Sequence, residues 1–425
     1  MSNAAGELLA ADAIGIETGA HNPDTIAVVF MAKRLPTAKA GGAYKHHRAH
    51  ELAAAVIEHL VAASGINPAD IDDVIVGNAT GGGGNVARLA ALTAGLPDQV
   101  PGLSVDRQCG SGLEAIILAA RLVQAGAGEL YLAGGVESIS TAPARAHKAA
   151  DGSLEFFDRA QFAPLETGDP DAGVAAENVA RHYGITRERQ DDYARASHAR
   201  ALNAQRNGAF AGELLPFAGL AEDQGPRPKL SAGLMARFPP AFVPGGTVTA
   251  GNSCPFSDGA AMTVVTSLTR ARAMAKTLEG GPGTVLAFRA SAVAGNDPNL
   301  LGVGAAHAME SLLTRNGMQI AQVRDSLIEF NEAFSSQVLA VADILDLDPG
   351  LFNHDGGALA LGHPYGASGA VLVTRLLAQV QREVGAAGAG RTAGRDAFAM
   401  ISVAGGIGLA AHFQAVSLKA PQKTE

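Results

Sequence analysis

The sequence contains no tryptophan, and only 5 of its 425 residues are tyrosine. Side chains that stack on nucleic-acid bases are therefore scarce. Basic residues are outnumbered as well, because 32 Lys and Arg face 41 Asp and Glu, which gives a net charge of −9. Since a phosphate backbone is bound by a basic surface, this balance argues against a general nucleic-acid-binding function.

Cysteine is almost absent too, with only Cys109 and Cys254 in the chain. Two cysteines exclude a disulfide framework and fit a reducing compartment. The N-terminal stretch lacks the basic region of a signal peptide, and the end Lys423–Glu425 matches no peroxisomal address. The most apolar late segment, Ala397–Ala411, is too short to span a bilayer. We therefore expect a cytoplasmic protein with no membrane partner.

Hydrophobic residues make up 47% of the chain, and 52 residues are glycine, which is typical of a large globular protein. Apolar runs alternate with helical spacings. The predicted strands are 25–31, 71–77, 100–105, 129–132, 326–330 and 398–403, and the predicted helices are 50–64, 85–95, 112–124, 175–207 and 369–384. This alternation indicates an α/β protein.

A weak internal repeat relates Cys109–Ser138 to Gly366–Leu409. Each copy has a Ser–Gly pair that we expect to open a helix, and each ends in a strand followed by Ala–Gly–Gly. Two copies of one αβ unit predict two similar halves, each a sheet flanked by helices.

The stretch from Thr141 to Pro244 has a different character, because it shows no strand pattern and much irregular sequence. Loops of such length usually carry function, so we expect a functional insertion rather than a linker. Its Arg227, Lys229 and Arg237 either meet phosphate groups of a ligand or belong to a solvated surface, and the sequence leaves both interpretations open.

Cys109 stands between a predicted strand and a predicted helix, and small residues follow it at Gly110–Gly112. The positive end of a helix favours a thiolate, and the small residues allow a substrate to approach closely. A cysteine in an apolar protein is equally often a small buried hydrophobe. Only a base elsewhere in the chain distinguishes the two interpretations.

Two further segments supply partners for such a thiol. Asn331 follows a predicted strand, where side chains reach a cleft, and His363 lies in the glycine-rich loop Gly356–Gly369. A histidine either withdraws the proton of a thiol or stabilises its thiolate. Together with Cys109, these residues indicate a nucleophilic enzyme.

The chain resembles the thiolase family, of the acetyl-CoA acyltransferase kind, over nearly its whole length. The residues that carry the resemblance are Arg34–Gly42, Asn85–Arg88, Asp106–Gly112, Gly134–Ser138, Ala176–Ala180, Gly246–Asn252, Asp258–Ala260, Asn331–Phe334 and Gly362–Gly369. The resemblance implies an acyltransferase that acts on acyl-CoA thioesters, as in lipid and fatty acid metabolism.

The resemblance also implies a five-layer αβαβα sandwich of two related halves with an inserted loop domain. The halves would be residues 1–142 with 245–280 and residues 281–425, and the insertion over the CoA site would be 143–244. A homodimer or tetramer is implied, with CoA and its thioesters as substrates and with no cofactor and no metal.

Roles for single residues follow from the same resemblance. Cys109 would take the acyl group, His363 would activate the thiol, and Asn331 would hold a water that helps bind a thioester oxygen. The backbone N–H groups of Cys109 and Ala404 would hold the oxygen of the acyl-enzyme. The implied contacts to substrate or CoA are Cys254, Ser253, Phe334 and Leu301.

One position departs from the family pattern in a way that concerns the chemistry. Ser402 stands where the family has the cysteine that moves the proton at the α-carbon of the second substrate. An alcohol is a far weaker acid than a thiol, whose reference pKa is about 8.5. Acid–base catalysis is worth roughly 10²–10⁴-fold, so we expect a slow carbon–carbon step if Ser402 must perform it.

Further departures surround the same predicted cavity, among them Ala404 for a glycine and Tyr365 for a frequent isoleucine. Ala404 would strain the loop if a positive φ were required there. Three hypotheses follow: a thiolase that cleaves or forms 3-ketoacyl-CoA, an enzyme that acylates a carbanion generated by decarboxylation or from an already acidic carbon, and a non-catalytic acyl-CoA-binding protein. Retention of Cys109, Asn331 and His363 counts against the third.

Overall fold

The computed structural model describes residues 22–387 and 394–418. The strands are β1 (Ala27–Arg34), β2 (Ala38–Lys39), β3 (Asp73–Gly77), β4 (Gly102–Val105), β5 (Leu130–Glu137), β6 (Arg145–Lys148), β7 (Leu154–Phe157), β8 (Ser257–Ser267), β9 (Thr284–Gly295), β10 (Leu327–Phe330), β11 (Asp396–Val403) and β12 (Ile407–Ser417).

The α-helices are α1 (Ala49–Ser64), α2 (Val86–Thr93), α3 (Ser111–Gln124), α4 (Ala172–His182), α5 (Arg187–Arg206), α6 (Ala232–Met235), α7 (Leu268–Thr277), α8 (Gly304–Arg315), α9 (Ile320–Arg324), α10 (Ser335–Leu345), α11 (Ala358–Leu361) and α12 (Tyr365–Ala387). Short 3₁₀ turns cover Pro23–Thr25, Pro68–Asp70, Ile139–Thr141, Pro298–Val303 and Pro349–Leu351.

The main sheet runs in the order β10-β11-β12-β9-β1-β8-β5-β3-β4, and β2 pairs with β8. Strand β3 pairs in parallel with both β4 and β5, and β10 pairs in parallel with β11. The remaining pairs are antiparallel. The two halves meet where β1 pairs with β9, at Val28 with Ala287 and Val29 with Leu286. Each half therefore carries the parallel pairing that crossover helices permit.

Alternate residues of each strand face different cores, as the period of two in a strand requires. In β11, Ala399 and Ile401 face the central core with α3 and α12, while Phe398 and Met400 face the core of α8 and α10. In β5, Leu132 faces the opposite outer core, which contains α1 and α2. One layer of helices thus lies between two layers of strands, and a further layer of helices covers each outer face. This confirms the predicted five-layer αβαβα arrangement.

The two central helices cross at glycines. A Cβ at Gly112 of α3 would lie 2.7 Å from the carbonyl oxygen of Gly366 and 2.9 Å from the amide nitrogen of Ala370. No side chain fits between the helices at this distance. The prediction that α12 opens at Ser368 is wrong, because the Pro364 carbonyl already accepts the first helical bonds from Ala367 and Ser368.

The stretch from Thr141 to Pro244 contains a two-stranded sheet, so the expectation of a strand-free segment is wrong. Strands β6 and β7 pair across a turn at Gly152, where φ is +85°. Their side chains are mostly exposed, so no apolar alternation marks them. The single helix predicted over 175–207 is two helices, because the chain turns at Gly184, where φ is +65°.

Among the helices of the described residues, none combines the length and the apolar character that a bilayer crossing requires.

Candidate active site

Cys109 lies in the sharp turn between β4 and α3. The residue before it, Gln108, has a φ of +46°, which is unusual for a side chain other than glycine and costs roughly 1–2 kcal/mol. The carboxylate of Asp106 accepts the Gln108 backbone N–H at 2.8 Å and holds this conformation. The turn places Cys109 two residues before Ser111, the first residue of α3, so the thiol stands at the start of a helix as predicted. Backbone strain of this kind is often found at functional sites.

The acidity of Cys109 differs from the expectation based on the helix end. Withdrawal from water is the largest effect and raises the pKa of the thiol to about 12, and the carboxylate of Glu137 acts in the same direction. The backbone N–H groups of Ala404 and of Cys109 itself act in the opposite direction and lower the pKa. Because burial outweighs them, Cys109 is a thiol at rest and would need a base to act as a nucleophile.

Ala404 begins the turn between β11 and β12, and its N–H lowers the pKa of the Cys109 thiol. The positive φ angles of this turn are at Gly405 (+82°) and Gly406 (+76°), whereas Ala404 is not among the residues with positive φ. An alanine therefore fits without the strain considered from the sequence.

His363 is buried just before α12, and its hydrogen bonds assign the ring tautomer. The Ser368 hydroxyl donates to the Pro364 carbonyl at 2.9 Å, so its oxygen accepts the Nδ1–H of His363 at 2.5 Å. The unprotonated nitrogen is therefore Nε2. The side-chain amide of Asn331 lies on this side, with Nδ2 at 3.4 Å from Nε2.

Burial lowers the pKa of His363 to about 3, so the ring is neutral over the physiological range. A neutral imidazole with a free Nε2 can accept a proton from a thiol. Since neither Cys109 nor His363 is ionised at rest, the pair would react by proton transfer rather than as a preformed ion pair.

Asn331 is fixed at the end of β10 by its backbone and its neighbours. Its N–H donates to the Met400 carbonyl at 3.0 Å, and its carbonyl accepts the Gln337 side-chain N–H at 3.2 Å. Strand β11, which carries Met400, leads directly to Ser402 and Ala404. The predicted residues Asn331 and Ala404 are thus held by adjacent strands of one sheet.

Ser402 is engaged by backbone groups. Its hydroxyl donates to the Gly302 carbonyl at 2.7 Å and accepts the Ala305 N–H at 3.0 Å. It therefore ties β11 to the start of α8, next to Leu301 in the preceding 3₁₀ turn. Its proton is committed to a carbonyl, which leaves no proton free for a substrate in this arrangement.

The segment Ser253–Ser257 runs between the loops that carry Asn331 and His363. Ser253 pairs with Phe334, and the Cys254 N–H donates to the Ala333 carbonyl at 3.0 Å. Cys254 is partly exposed, as Cys109 is. The structure thus brings Cys254, Ser253 and Phe334 to the same group of loops as the catalytic candidates.

Two residues next to His363 were given no role from the sequence. Tyr365 lies with its ring 5.1 Å from that of His363, and burial raises its pKa, with negative charges on Cys109 and Cys254 acting in the same direction. Ser368 fixes the tautomer of His363. The Ser368–Gly369 pair belongs to the internal repeat, but nothing in the sequence shows that the Ser368 hydroxyl forms a hydrogen bond with an imidazole five residues earlier.

Within residues 22–387 and 394–418, no group of three or more His, Cys, Asp or Glu side chains is placed to hold a metal ion. The basic residues Lys229 and Arg237 of the insertion are exposed. The Arg227 backbone N–H donates to Nδ1 of the buried His198 at 3.1 Å.

Comparison with known proteins agrees with this architecture. Residues 27–269 match the family described as "Thiolase, N-terminal domain", and residues 284–413 match "Thiolase, C-terminal domain". VraB of Staphylococcus aureus strain MRSA252, whose name provisionally assigns it as an acetyl-CoA C-acetyltransferase, is 42% identical over 395 residues, which is 91% of this chain and 98% of that protein. VraB of Staphylococcus epidermidis is 44% identical over 357 residues, covering 82% and 91% respectively.

Solved structures give the same result. The Bacillus anthracis acetyl-CoA acetyltransferase superposes with a TM-score of 0.80 at 34% identity, covering 92% of this chain and 99% of that one. The human mitochondrial 3-ketoacyl-CoA thiolase superposes with a TM-score of 0.82 at 30% identity, covering 92% and 100%. This chain belongs to the thiolase family and is an acyltransferase.

Proposed function

We propose that this protein transfers acyl groups between CoA thioesters through an acyl–Cys109 intermediate. The observation that carries the proposal is that the turn of Cys109 packs against the strand that ends just before Ala404, since a Cβ at Gly110 would lie 3.0 Å from a side-chain carbon of Val403. Preorganised donors where negative charge develops are often the largest contribution to catalysis. Once an acyl group is attached to the sulfur, the backbone N–H groups of Cys109 and Ala404 would receive its carbonyl oxygen.

Acylation begins when Nε2 of His363 takes the proton of the Cys109 thiol. The sulfur attacks the carbonyl carbon of the acyl-CoA, a new C–S bond forms, and the C–S bond to CoA breaks with its electron pair on the CoA sulfur. His363 then returns the proton to that sulfur. The neutral state of His363 and the protonated state of Cys109 both suit this sequence.

The side-chain amide of Asn331 and the imidazole of His363 form the second polar wall of the proposed site. We assign them, with a water held by Asn331, to the thioester oxygen of the second CoA substrate. A donor at this oxygen stabilises the enolate that forms when the α-carbon loses a proton. Cys254, Ser253, Phe334 and Leu301 would contact the substrate or its CoA portion.

The favoured reaction is thiolysis of a 3-ketoacyl-CoA or its reverse, which would place the protein in lipid or fatty acid metabolism. The names of the relatives support an acetyl group as donor or product, since they refer to acetyl-CoA or 3-ketoacyl-CoA. Two partly exposed free thiols fit a reducing compartment such as the cytoplasm.

One observation favours a second candidate function. The proton of Ser402 is directed to the Gly302 carbonyl, so this residue is not free to act at an α-carbon. An enzyme that acylates a carbanion formed by decarboxylation, or one already acidic, would not need such a base. This candidate shares the acyl–Cys109 step and differs only in the acceptor.

We also propose a homodimer formed through β4. Among the residues that the structure describes, β4 is at the end of the sheet order and pairs with β3 alone, and Leu103 on it is 40% exposed. The neighbouring helix α2 exposes Leu89 and Leu92. An unpaired edge beside apolar side chains is suited to pairing with a second copy. Light scattering of the wild type and of Leu103→Lys tests this, and a monomeric wild type would contradict it.

Intact-mass spectrometry after incubation with acetyl-CoA or acetoacetyl-CoA tests the acyl-enzyme. We expect an acyl adduct in the wild type that is lost in Cys109→Ala and retained in Cys254→Ala. Thiolysis of acetoacetyl-CoA by the wild type supports the favoured reaction, and an adduct without thiolysis supports the second candidate. No adduct with a series of acyl-CoAs would exclude both and favour a non-catalytic binding protein.

A further inference from the structure

A second thiol, that of Cys254, lies on a segment that is pinned on both sides to the loops of the proposed site. Before Cys254, Ser253 pairs with Phe334, and after it, Phe256 pairs with the backbone of His363. The Cys254 N–H donates to the Ala333 carbonyl, two residues beyond Asn331. Cys254 is therefore held between the Asn331 loop and the His363 loop.

The side chains around Cys254 form a connected group. The ring of Phe256 lies 6.3 Å from that of Tyr365, which in turn lies 5.1 Å from that of His363. Burial raises the pKa of Tyr365, and negative charges on Cys109 and Cys254 raise it further. The segment that carries Cys254 thus packs against the residues around the proposed base, and both thiols are partly exposed.

We propose that Cys254 is the base that moves the proton at the α-carbon of the second substrate, in place of Ser402. This rests on the proposed acyl–Cys109 function and supplies the proton carrier that function lacks. Ser402 is near the end of β11, whereas Cys254 is in the segment before β8, so the proposed base belongs to a different element from Ser402.

Condensation joins the acyl group on Cys109 to the α-carbon of a second acyl-CoA. After Cys109 is acylated, Nε2 of His363 takes the proton of Cys254. The Cys254 thiolate then removes a proton from the α-carbon of the second acyl-CoA, and the electron pair of that C–H bond forms the new bond to the acyl carbon. The C–S bond to Cys109 breaks, and the Cys109 sulfur receives the proton from His363. Thiolysis follows the same steps in reverse.

Burial is the largest effect on Cys254 and raises its pKa to about 12, so Cys254 is a thiol at rest, as Cys109 is. It therefore needs His363 to take its proton. The resulting thiolate is a strong base, which suits a weakly acidic C–H bond.

Exchange of the α-protons of acetyl-CoA in D₂O tests the role separately from acyl transfer. We expect the wild type to form the acetyl adduct and to incorporate deuterium into the methyl group. Cys254→Ser keeps the size of the side chain and a hydrogen-bonding group but removes the acidic thiol. It should retain the adduct and lose exchange by at least about 10²-fold, the lower end of what acid–base catalysis contributes.

Cys254→Ala is the second variant and should lose exchange to the same extent. Exchange retained in Cys254→Ser but lost in Cys254→Ala would indicate packing or hydrogen bonding and would overturn the proposal. Exchange in Cys254→Ser at the rate of the wild type would also overturn it. The same holds if the wild type forms the adduct but shows no exchange. Absence of the adduct in the wild type would instead refute the proposed acyl–Cys109 function itself.

Discussion

The Nδ1–H of His363 donates to the Ser368 hydroxyl oxygen at 2.5 Å, and the hydroxyl proton is directed to the Pro364 carbonyl. The orientation of the proposed base is therefore set by the first turn of α12. A side chain that fixes the tautomer of a histidine controls which nitrogen faces the substrate.

Ser368→Ala should slow acylation of Cys109 by roughly 10²-fold, because general base catalysis is worth 10²–10⁴-fold and the substitution leaves the imidazole present but unoriented. Stopped-flow release of CoA measures the rate. Thr374→Val is the matched control, since Thr374 lies in the same helix and its hydroxyl also donates to a carbonyl four residues earlier, that of Ala370. Equal rates in Ser368→Ala and wild type would refute the orienting role.

The reactivity of Cys109 towards iodoacetamide should rise steeply with pH. With the pKa of the thiol raised to about 12, the thiolate fraction increases about tenfold per pH unit throughout the neutral range. Cys254→Ala isolates the signal of Cys109, and peptide mass spectrometry follows the alkylation. A plateau of the rate below pH 8 would show a low-pKa thiolate and contradict the assignment.

His198 should make the protein sensitive to acid. Burial, and next the charge of Arg227, lower its pKa to about 4, and its Nδ1 accepts the Arg227 N–H at 3.1 Å. The unfolded chain, with a pKa near 6.5, binds the proton more readily than the folded one. The stabilising contribution is therefore complete above pH 6.5 and falls by about 3 kcal/mol by pH 4.

His198→Gln retains an acceptor without the titration, so its melting temperature should fall less than that of the wild type between pH 7 and pH 4.5. Differential scanning fluorimetry at matched ionic strength compares the two. Parallel curves for the two proteins over this range would mean that His198 does not contribute to acid sensitivity.

The crossing of α3 and α12 should not tolerate a larger residue. A Cβ at Gly369 would overlap the backbone nitrogen and Cβ of Leu113. Gly369→Ala should therefore destabilise the protein by about 1–3 kcal/mol, the usual effect of overpacking. Gly233→Ala in α6, where a Cβ meets nothing within 4 Å, is the control and should be neutral or slightly stabilising. Thermal melting compares both, and equal melting temperatures would contradict close packing at the crossing.

Much of the fold is predictable from local patterns. The strands and helices around Cys109 appear as apolar runs and helical spacings, and the repeat predicts the two halves. The hairpin β6–β7 is not predictable in this way, because its exposed residues carry no alternation. The division at 142, 244 and 280 remains a proposal, based on the resemblance and on the change of sequence character.

The acidity of Cys109 could not be predicted from the sequence. The sequence places a thiol before a helix, which favours a thiolate, but the carboxylate of Glu137 comes from β5 and the burial comes from the loops around the cavity. Together they outweigh the backbone N–H groups that lower the pKa. Their sum depends on distances between segments that are far apart in the chain.

The sequence alone determined the family and the two-halved α/β architecture, and it pointed to Cys109 as nucleophile and His363 as its base, because motif residues and periodicities are local. Tertiary structure decided which contacts those residues make. It directed the Ser402 proton to a backbone carbonyl, fixed His363 through Ser368, and pinned the Cys254 segment between the loops of Asn331 and His363. Such relationships depend on which strands and loops pack together, and no short stretch of sequence contains them.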